Sequence, residues 1–115
     1  MPETVAVTEE GPVAKVLLDR PQRRNAFDLD MADVLARELA TVAAADRVRA
    51  VVLAGAGGAF CAGGDLKWAA GHPDGPPAAF RELAGRFHQA VLEIRQMPKP
   101  VIAAIEGVAA GGGFS

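Results

Sequence analysis

The chain has 115 residues, of which 50% are hydrophobic and 23% charged, and this is the composition of a globular domain. Its formal net charge of −2 argues against a nucleic-acid-binding domain, which usually carries a strong basic excess. The single cysteine cannot form an internal disulfide, and no segment reaches the roughly 18 consecutive apolar residues of a membrane span. We therefore expect a cytoplasmic protein that binds neither nucleic acid nor membranes.

The first third of the chain predicts a β-hairpin followed by a helix. Residues 5–7 and 13–18 are short apolar runs separated by a break that contains glycine and proline. A polar, arginine-rich loop follows at residues 19–25. Asp28 is a suitable N-cap for a helix running to about Ala45, because apolar residues recur there at three- and four-residue spacing.

The remainder alternates between strand and helix patterns. Residues 50–54 and 101–105 are continuous apolar runs, which predict buried strands of a sheet covered by helices. Between them, Asp65 caps a short predicted helix, and a longer helix is predicted over residues 78–96. This alternation indicates the α/β class, and no composition shift marks a domain boundary.

A glycine-rich turn follows each of the two predicted buried strands, at residues 62–65 and 111–113. Glycine allows close approach of a ligand to the backbone, and a helix N-terminus offers unpaired N–H groups with partial positive charge. Two such turns that converge on one point can stabilise a developing oxyanion. Tight β-to-α turns without a ligand, or phosphate cradles, remain alternatives, although neither turn matches the phosphate-loop or dinucleotide pattern.

Three segments, read in order, carry a resemblance to a known family. They are Arg20-Pro21 with Asn25-Ala26, residues 59–66 (AFCAGGDL) and residues 99–113 (KPVIAAIEGVAAGGG). Together they resemble the enoyl-CoA hydratase/isomerase (crotonase) superfamily over nearly the whole chain. The resemblance implies a spiral core of ββα units and an enzyme that acts on acyl-CoA. Residues 1–115 would then be the N-terminal part of a single crotonase-like domain, truncated after the second oxyanion-hole turn.

The resemblance also implies roles for individual residues. The oxyanion-hole N–H groups would belong to Gly64 and Gly112, and the enzyme would stabilise an enolate of the thioester. Coenzyme A would enter only as part of the substrate, with no other cofactor and no metal, and the full-length protein would be a homotrimer or hexamer. The positions expected to contact coenzyme A are Arg23 and Arg24 at its phosphates, then Ala26, Ala62 and Leu66. For the two arginines, a solvated loop is the alternative.

Ser115 departs from the pattern of the family's hydratases. They carry two catalytic glutamates, one of them two residues after the last glycine of the second turn, where this chain has Ser115. A serine cannot serve as a carboxylate base at neutral pH. We therefore expect either a member whose base lies elsewhere, with the 115-residue fragment inactive alone, or a catalytically silent CoA-binding or assembly module.

Other polar residues favour structural roles. Asp65 is predicted to cap a helix rather than to act as a base, and Cys61 to pack as a small buried residue. His72 and His88 have no neighbours at metal-ligand spacing, which argues against a metal site. Trp68 is expected to cover the acyl pocket or to pack there.

Overall fold

A four-stranded sheet with the order β1-β2-β3-β4 is the framework of the computed structural model, which describes residues 4–115. Strands β1 and β2 form an antiparallel hairpin, while β3 pairs in parallel with both β2 and β4. The predicted hairpin and α/β alternation are confirmed. The strands are β1 (Val5–Glu10), β2 (Val13–Leu18), β3 (Ala50–Gly55) and β4 (Val101–Ala104).

Three helices connect the parallel strands: α1 (Leu29–Ala44), α2 (Leu66–Ala70) and α3 (Pro76–Gln96). Helix α3 begins two residues before the predicted start, because proline is tolerated in the first turn, where its missing N–H would have no partner. Two short 3₁₀ turns, Pro21–Arg23 and Gly111–Gly113, lie before α1 and after β4. Within residues 4–115, no helix combines the length and the hydropathy needed to cross a bilayer.

Helix α1 covers the sheet with the apolar face predicted from its sequence. Its N-cap is Asp28, whose Oδ1 accepts a hydrogen bond of 2.9 Å from the Met31 amide. At the other end, Lys99 Nζ donates to two backbone carbonyls at 2.8 and 2.6 Å, which satisfies acceptors left free by the end of the helix. The predicted face is buried throughout, at Met31, Val34, Leu35, Leu39 and Val42.

Strand β4 differs from its prediction as a buried strand. It ends at Ala104, and three of its four residues are exposed; the side chain of Ile102 is 55% exposed and that of Ile105, just beyond, 56%. A strand of a parallel sheet is buried only when other elements cover both of its faces. Here β4 lies at the sheet edge and pairs only with β3 among the described residues. The continuous apolar pattern therefore predicted the strand correctly. Its prediction that the strand is buried was wrong.

Candidate active site

The two glycine turns lie side by side and are joined by backbone hydrogen bonds. The amides of Phe60 and Cys61 donate to Val108 O at 3.0 and 3.1 Å, and the Ala110 amide donates to Cys61 O at 3.0 Å. Gly63 has φ of +100°, and a Cβ there would lie 2.9 Å from Ala110 O. A Cβ on Gly113 would collide with Cys61 O. These two positions need glycine, because any side chain would force the turns apart.

Hydrogen bonds to Phe27 on both sides fix the peptide of Gly64. The Phe27 amide donates to Gly63 O at 2.7 Å, and the Asp65 amide donates to Phe27 O at 2.8 Å. In a trans peptide, the carbonyl and the following N–H point in opposite directions. The Gly64 N–H is therefore directed away from the Phe27 amide, and it donates to no acceptor within residues 4–115.

The second turn presents its middle glycine in a similar way. The Phe114 and Ser115 amides both donate to Gly111 O, at 3.1 and 3.2 Å. This carbonyl shares its peptide with the Gly112 N–H, which consequently points out of the N-terminal end of the 3₁₀ turn. No acceptor for the Gly112 N–H lies within residues 4–115. The Gly111 N–H also has no acceptor among these residues, but Gly111 is exposed and lines neither of the cavities described below.

Gly64 and Gly112 line one cavity of about 260 Å³. Its wall is aromatic: a Cβ on Gly64 would lie 2.8 Å from Cε1 of Phe80, and the rings of Phe27 and Phe87 meet edge to face at 4.7 Å. No titratable side chain of residues 4–115 lines it. Its lining consists of Phe27, Gly63, Gly64, Phe80, Leu83, Ala84, Phe87 and Gly112.

A second cavity, of about 240 Å³, lies between α3 and the exposed edge of the sheet. It is lined by Gly112 and Ser115 but not by Gly64, so a group bound there would meet only one of the two free donors. The hydroxyl of Ser115 is exposed and donates to Gly111 O at 3.3 Å. Ser115 and Gly64 therefore face different cavities.

The positions expected to contact coenzyme A lie next to the first turn. The Ala62 amide donates to Arg24 O at 3.0 Å, which joins the arginine-rich loop to the turn. Ala26 is buried between them, whereas Arg24 is exposed and Arg23 half-buried. Leu66 begins α2 with 74% of its surface exposed. The fold thus brings all five residues to one region.

Arg20 and Asp65 form an ion pair that the sequence patterns did not reveal. The Arg20 Nη2 atom lies 2.9 Å from Asp65 Oδ2 and 3.3 Å from Asp28 Oδ2. Asp65 Oδ1 accepts hydrogen bonds from the amides of Lys67 and Trp68, which confirms the predicted helix cap. Burial raises the pKa of Asp65, but the Trp68 amide and the Arg20 and Arg23 guanidinium groups outweigh it, so that this pKa lies below its usual value.

Asn25 is the other buried polar residue of this region. Its Oδ1 accepts from the Arg20 amide at 2.7 Å, and its Nδ2 donates to Ala56 O at 3.0 Å and Ala59 O at 2.8 Å. Its φ of +59° lies in the left-handed region, which asparagine tolerates better than most residues. Asn25 thus ties the loop before α1 to the loop after β3.

Three further side chains that the sequence suggested as candidates, those of Cys61, Trp68 and His72, do not line the cavity that contains Gly64 and Gly112. Cys61 is fully buried, as predicted, and this burial raises the pKa of its thiol although the Gly63 amide donates to Sγ. Trp68 does not line the cavity; its ring lies edge-on to His72 at a centroid distance of 6.0 Å. His72 Nε2 is 3.2 Å from Glu82 Oε2. No metal-binding group of side chains occurs among residues 4–115.

Comparisons with known proteins agree with this fold. The family model described as enoyl-CoA hydratase/isomerase matches residues 8–115. The chain is 39% identical to a 1,2-epoxyphenylacetyl-CoA isomerase of Escherichia coli, over 98% of this chain and 44% of that protein. It is 38% identical to a carnitinyl-CoA dehydratase of Proteus mirabilis, over 99% and 42%.

Solved structures of enoyl-CoA hydratases also resemble this chain. The enoyl-CoA hydratase of Bacillus anthracis superposes with a TM-score of 0.87 and 34% identity, over 96% of this chain and 42% of that one. The chain therefore spans less than half the length of these relatives, and the part it spans has the crotonase-like arrangement predicted from its motifs. This chain belongs to the enoyl-CoA hydratase/isomerase family.

Proposed function

We propose that the chain binds the thioester of an acyl-CoA with its carbonyl oxygen between the N–H groups of Gly64 and Gly112, and stabilises the enolate that forms from it. The observation that carries this proposal is that two backbone donors without acceptors line a single apolar cavity. Both glycines are half-buried, so water can reach their N–H groups when no ligand is bound. A ligand oxygen that accepts from both groups would replace that water.

The surroundings of the two donors favour charge stabilisation. Aromatic and aliphatic side chains line the cavity, so a bound acyl chain that displaces water from it would leave the oxyanion in apolar surroundings, where its hydrogen bonds would be stronger than in solvent. The hydrogen bonds to Gly63 O and Gly111 O already orient both donor peptides. Little reorganisation would be needed as charge develops.

The coenzyme A portion would lie along the arginine-rich loop and the first turn. Arg23 and Arg24 would contact its phosphates, and Ala26, Ala62 and Leu66 would line its path. The hydrogen bond from the Ala62 amide to Arg24 O supports this assignment, because it joins the loop to the turn along which the ligand would lie. The complete protein would be a cytoplasmic homotrimer or hexamer.

The proton-transfer group would lie outside the described lining of the cavity. That lining contains no titratable side chain, and Asp65 is held by Arg20 and two amides. Ser115 faces the other cavity and cannot replace a glutamate base. These facts also support the second candidate function, a silent CoA-binding or assembly module. Turnover by the complete protein separates the two candidates.

The test is to remove one donor N–H from the complete protein that contains this chain. Gly112→Pro deletes the N–H, whereas Gly112→Ala keeps it and introduces a Cβ 3.4 Å from the Phe87 ring. We expect Gly112→Pro to lower turnover of enoyl- and aryl-CoA thioesters by about 100- to 1000-fold, as for other single oxyanion donors. Gly112→Ala serves as the matched control. Equal activities of the two variants would refute the assignment of Gly112.

A further inference from the structure

Arg20 links the N-terminal ends of two helices across the loop before α1. Its side chain is only 13% exposed, and Nη1 donates to Ala26 O at 2.7 Å. Nη2 contacts the carboxylates of Asp28 and Asp65, which cap α1 and α2 respectively. One guanidinium group therefore holds the first donor turn and the core helix at a fixed separation.

We propose that Arg20 is a positioning residue for the Gly64 N–H, acting through the carboxylate of Asp65. This inference rests on the proposed function, because it concerns how the donor of that site is aimed.

The path from Arg20 to the donor is short. Asp65 directly follows Gly64, and its own amide is bonded to Phe27 O at 2.8 Å. Phe27 in turn directly follows Ala26, whose carbonyl accepts from Arg20. The guanidinium therefore holds both sides of the short pairing between Phe27 and the turn, and this pairing sets the direction of the Gly64 N–H.

Loss of the guanidinium would act on the donor by two routes. The carboxylates of Asp28 and Asp65 both lie within 3.3 Å of Nη2, so without it two negative charges would repel each other across the pairing. The Ala26 carbonyl would also lose its partner. Both effects would displace the turn, and a misplacement of about 1 Å at a reacting centre can cost about 100-fold in rate.

The experiment compares four variants of the complete protein. Arg20→Gln removes the charge. Asp65→Asn retains a side-chain oxygen for the α2 cap but loses the ion pair. Asp28→Asn makes the same change at the other carboxylate that Arg20 contacts, which caps α1. Arg86→Gln is the surface control, because its ion pair with Asp33 joins α1 and α3 at exposed positions.

Three measurements are made on each variant: kcat and KM for an acyl-CoA, the thermal midpoint, and the ¹³C shift of a bound thioester labelled at its carbonyl carbon. The ¹³C shift reports carbonyl polarisation by the donors, which loss of stability alone would not change. We expect Arg20→Gln and Asp65→Asn to lower kcat by about 10- to 100-fold with little change in KM, and to reduce the downfield shift. Asp28→Asn and Arg86→Gln should leave both readouts close to those of the parent.

The outcomes distinguish this inference from the proposed function. If the parent protein shows no downfield ¹³C shift on binding, the proposed function fails. If the parent shows it and Arg20→Gln retains the full shift and kcat, the role of Arg20 is refuted. Equal effects of Asp28→Asn and Asp65→Asn would also refute it, because the ion pair would then stabilise the fold generally. A double variant that combines Arg20→Gln with Asp65→Asn should lose clearly less kcat than the product of the two single losses, and a loss equal to that product would refute action through Asp65.

Discussion

Replacing Asn25 tests how the loop before α1 is held against the loop after β3. The side chain is completely buried and makes three hydrogen bonds, one as acceptor and two as donor. Asn25→Ala removes all three. It also places an alanine at φ of +59°, where a Cβ is strained.

The expected loss follows from these contacts. The carbonyl of Ala59 is buried and would lose the bond from Nδ2, and a buried group without a partner costs about 1–3 kcal/mol. The Arg20 amide and the Ala56 carbonyl are partly buried and would add smaller penalties. The left-handed backbone adds about 1 kcal/mol for alanine. We therefore expect Asn25→Ala to lower the free energy of unfolding by about 3–5 kcal/mol.

Denaturant unfolding of the complete protein, followed by circular dichroism, measures this loss. Asn25→Gly removes the same hydrogen bonds without the backbone strain, so it should be more stable than Asn25→Ala by about 1 kcal/mol. Thr41→Ala deletes an exposed hydrogen bond to Arg37 O and should cost under about 0.5 kcal/mol. A loss for Asn25→Ala no larger than that for Thr41→Ala would refute the reasoning.

Two further variants test the charge of Asp65 and the packing around Gly85. The pKa of Asp65 in the folded protein lies below its ordinary value of 3.8. The ionised carboxylate therefore stabilises the fold above pH 3.8, and this stabilisation is lost as the pH falls through the pKa of the folded protein. The stability difference between the parent and Asp65→Asn should therefore shrink between pH 6 and pH 3 in unfolding titrations; a constant difference would contradict this. Gly85 lies within α3 with nothing within 4 Å of an added Cβ, so Gly85→Ala should raise the free energy of unfolding by about 0.5–1 kcal/mol in the same assay. A loss of stability would contradict the packing of that helix.

Local signals predicted much of the fold. The hairpin, the strand at residues 50–54 and α1 with its Asp28 cap follow from period, turn residues and capping preference, all of which act over a few residues. The glycine turns were also predictable as features. That they lie together follows from the parallel pairing of β3 with β4, which brings the ends of both strands to the same edge.

The features that depend on distant partners were not predictable from the sequence. Arg20 belongs to a polar loop, and nothing local indicates that its charge meets Asp65, which lies 45 positions later in the chain. The local sequence likewise indicates only that Asn25 is a loop residue. The carbonyl groups of Ala56 and Ala59, to which its side chain donates, come from a distant part of the chain. The burial of β4 was predicted wrongly for the same reason, since an apolar pattern does not specify which elements cover it.

Polarisation of a thioester carbonyl by Gly64 and Gly112 is measured most directly by isotope-edited infrared difference spectroscopy. An acyl-CoA with a ¹³C=O thioester is bound to the complete protein, and its carbonyl stretch is compared with that of the free ligand. We predict a lower stretching frequency on binding, a smaller decrease in Gly112→Pro, and a decrease close to that of the parent in Gly112→Ala. An unchanged frequency in the parent, or equal decreases in the parent and Gly112→Pro, would contradict the account.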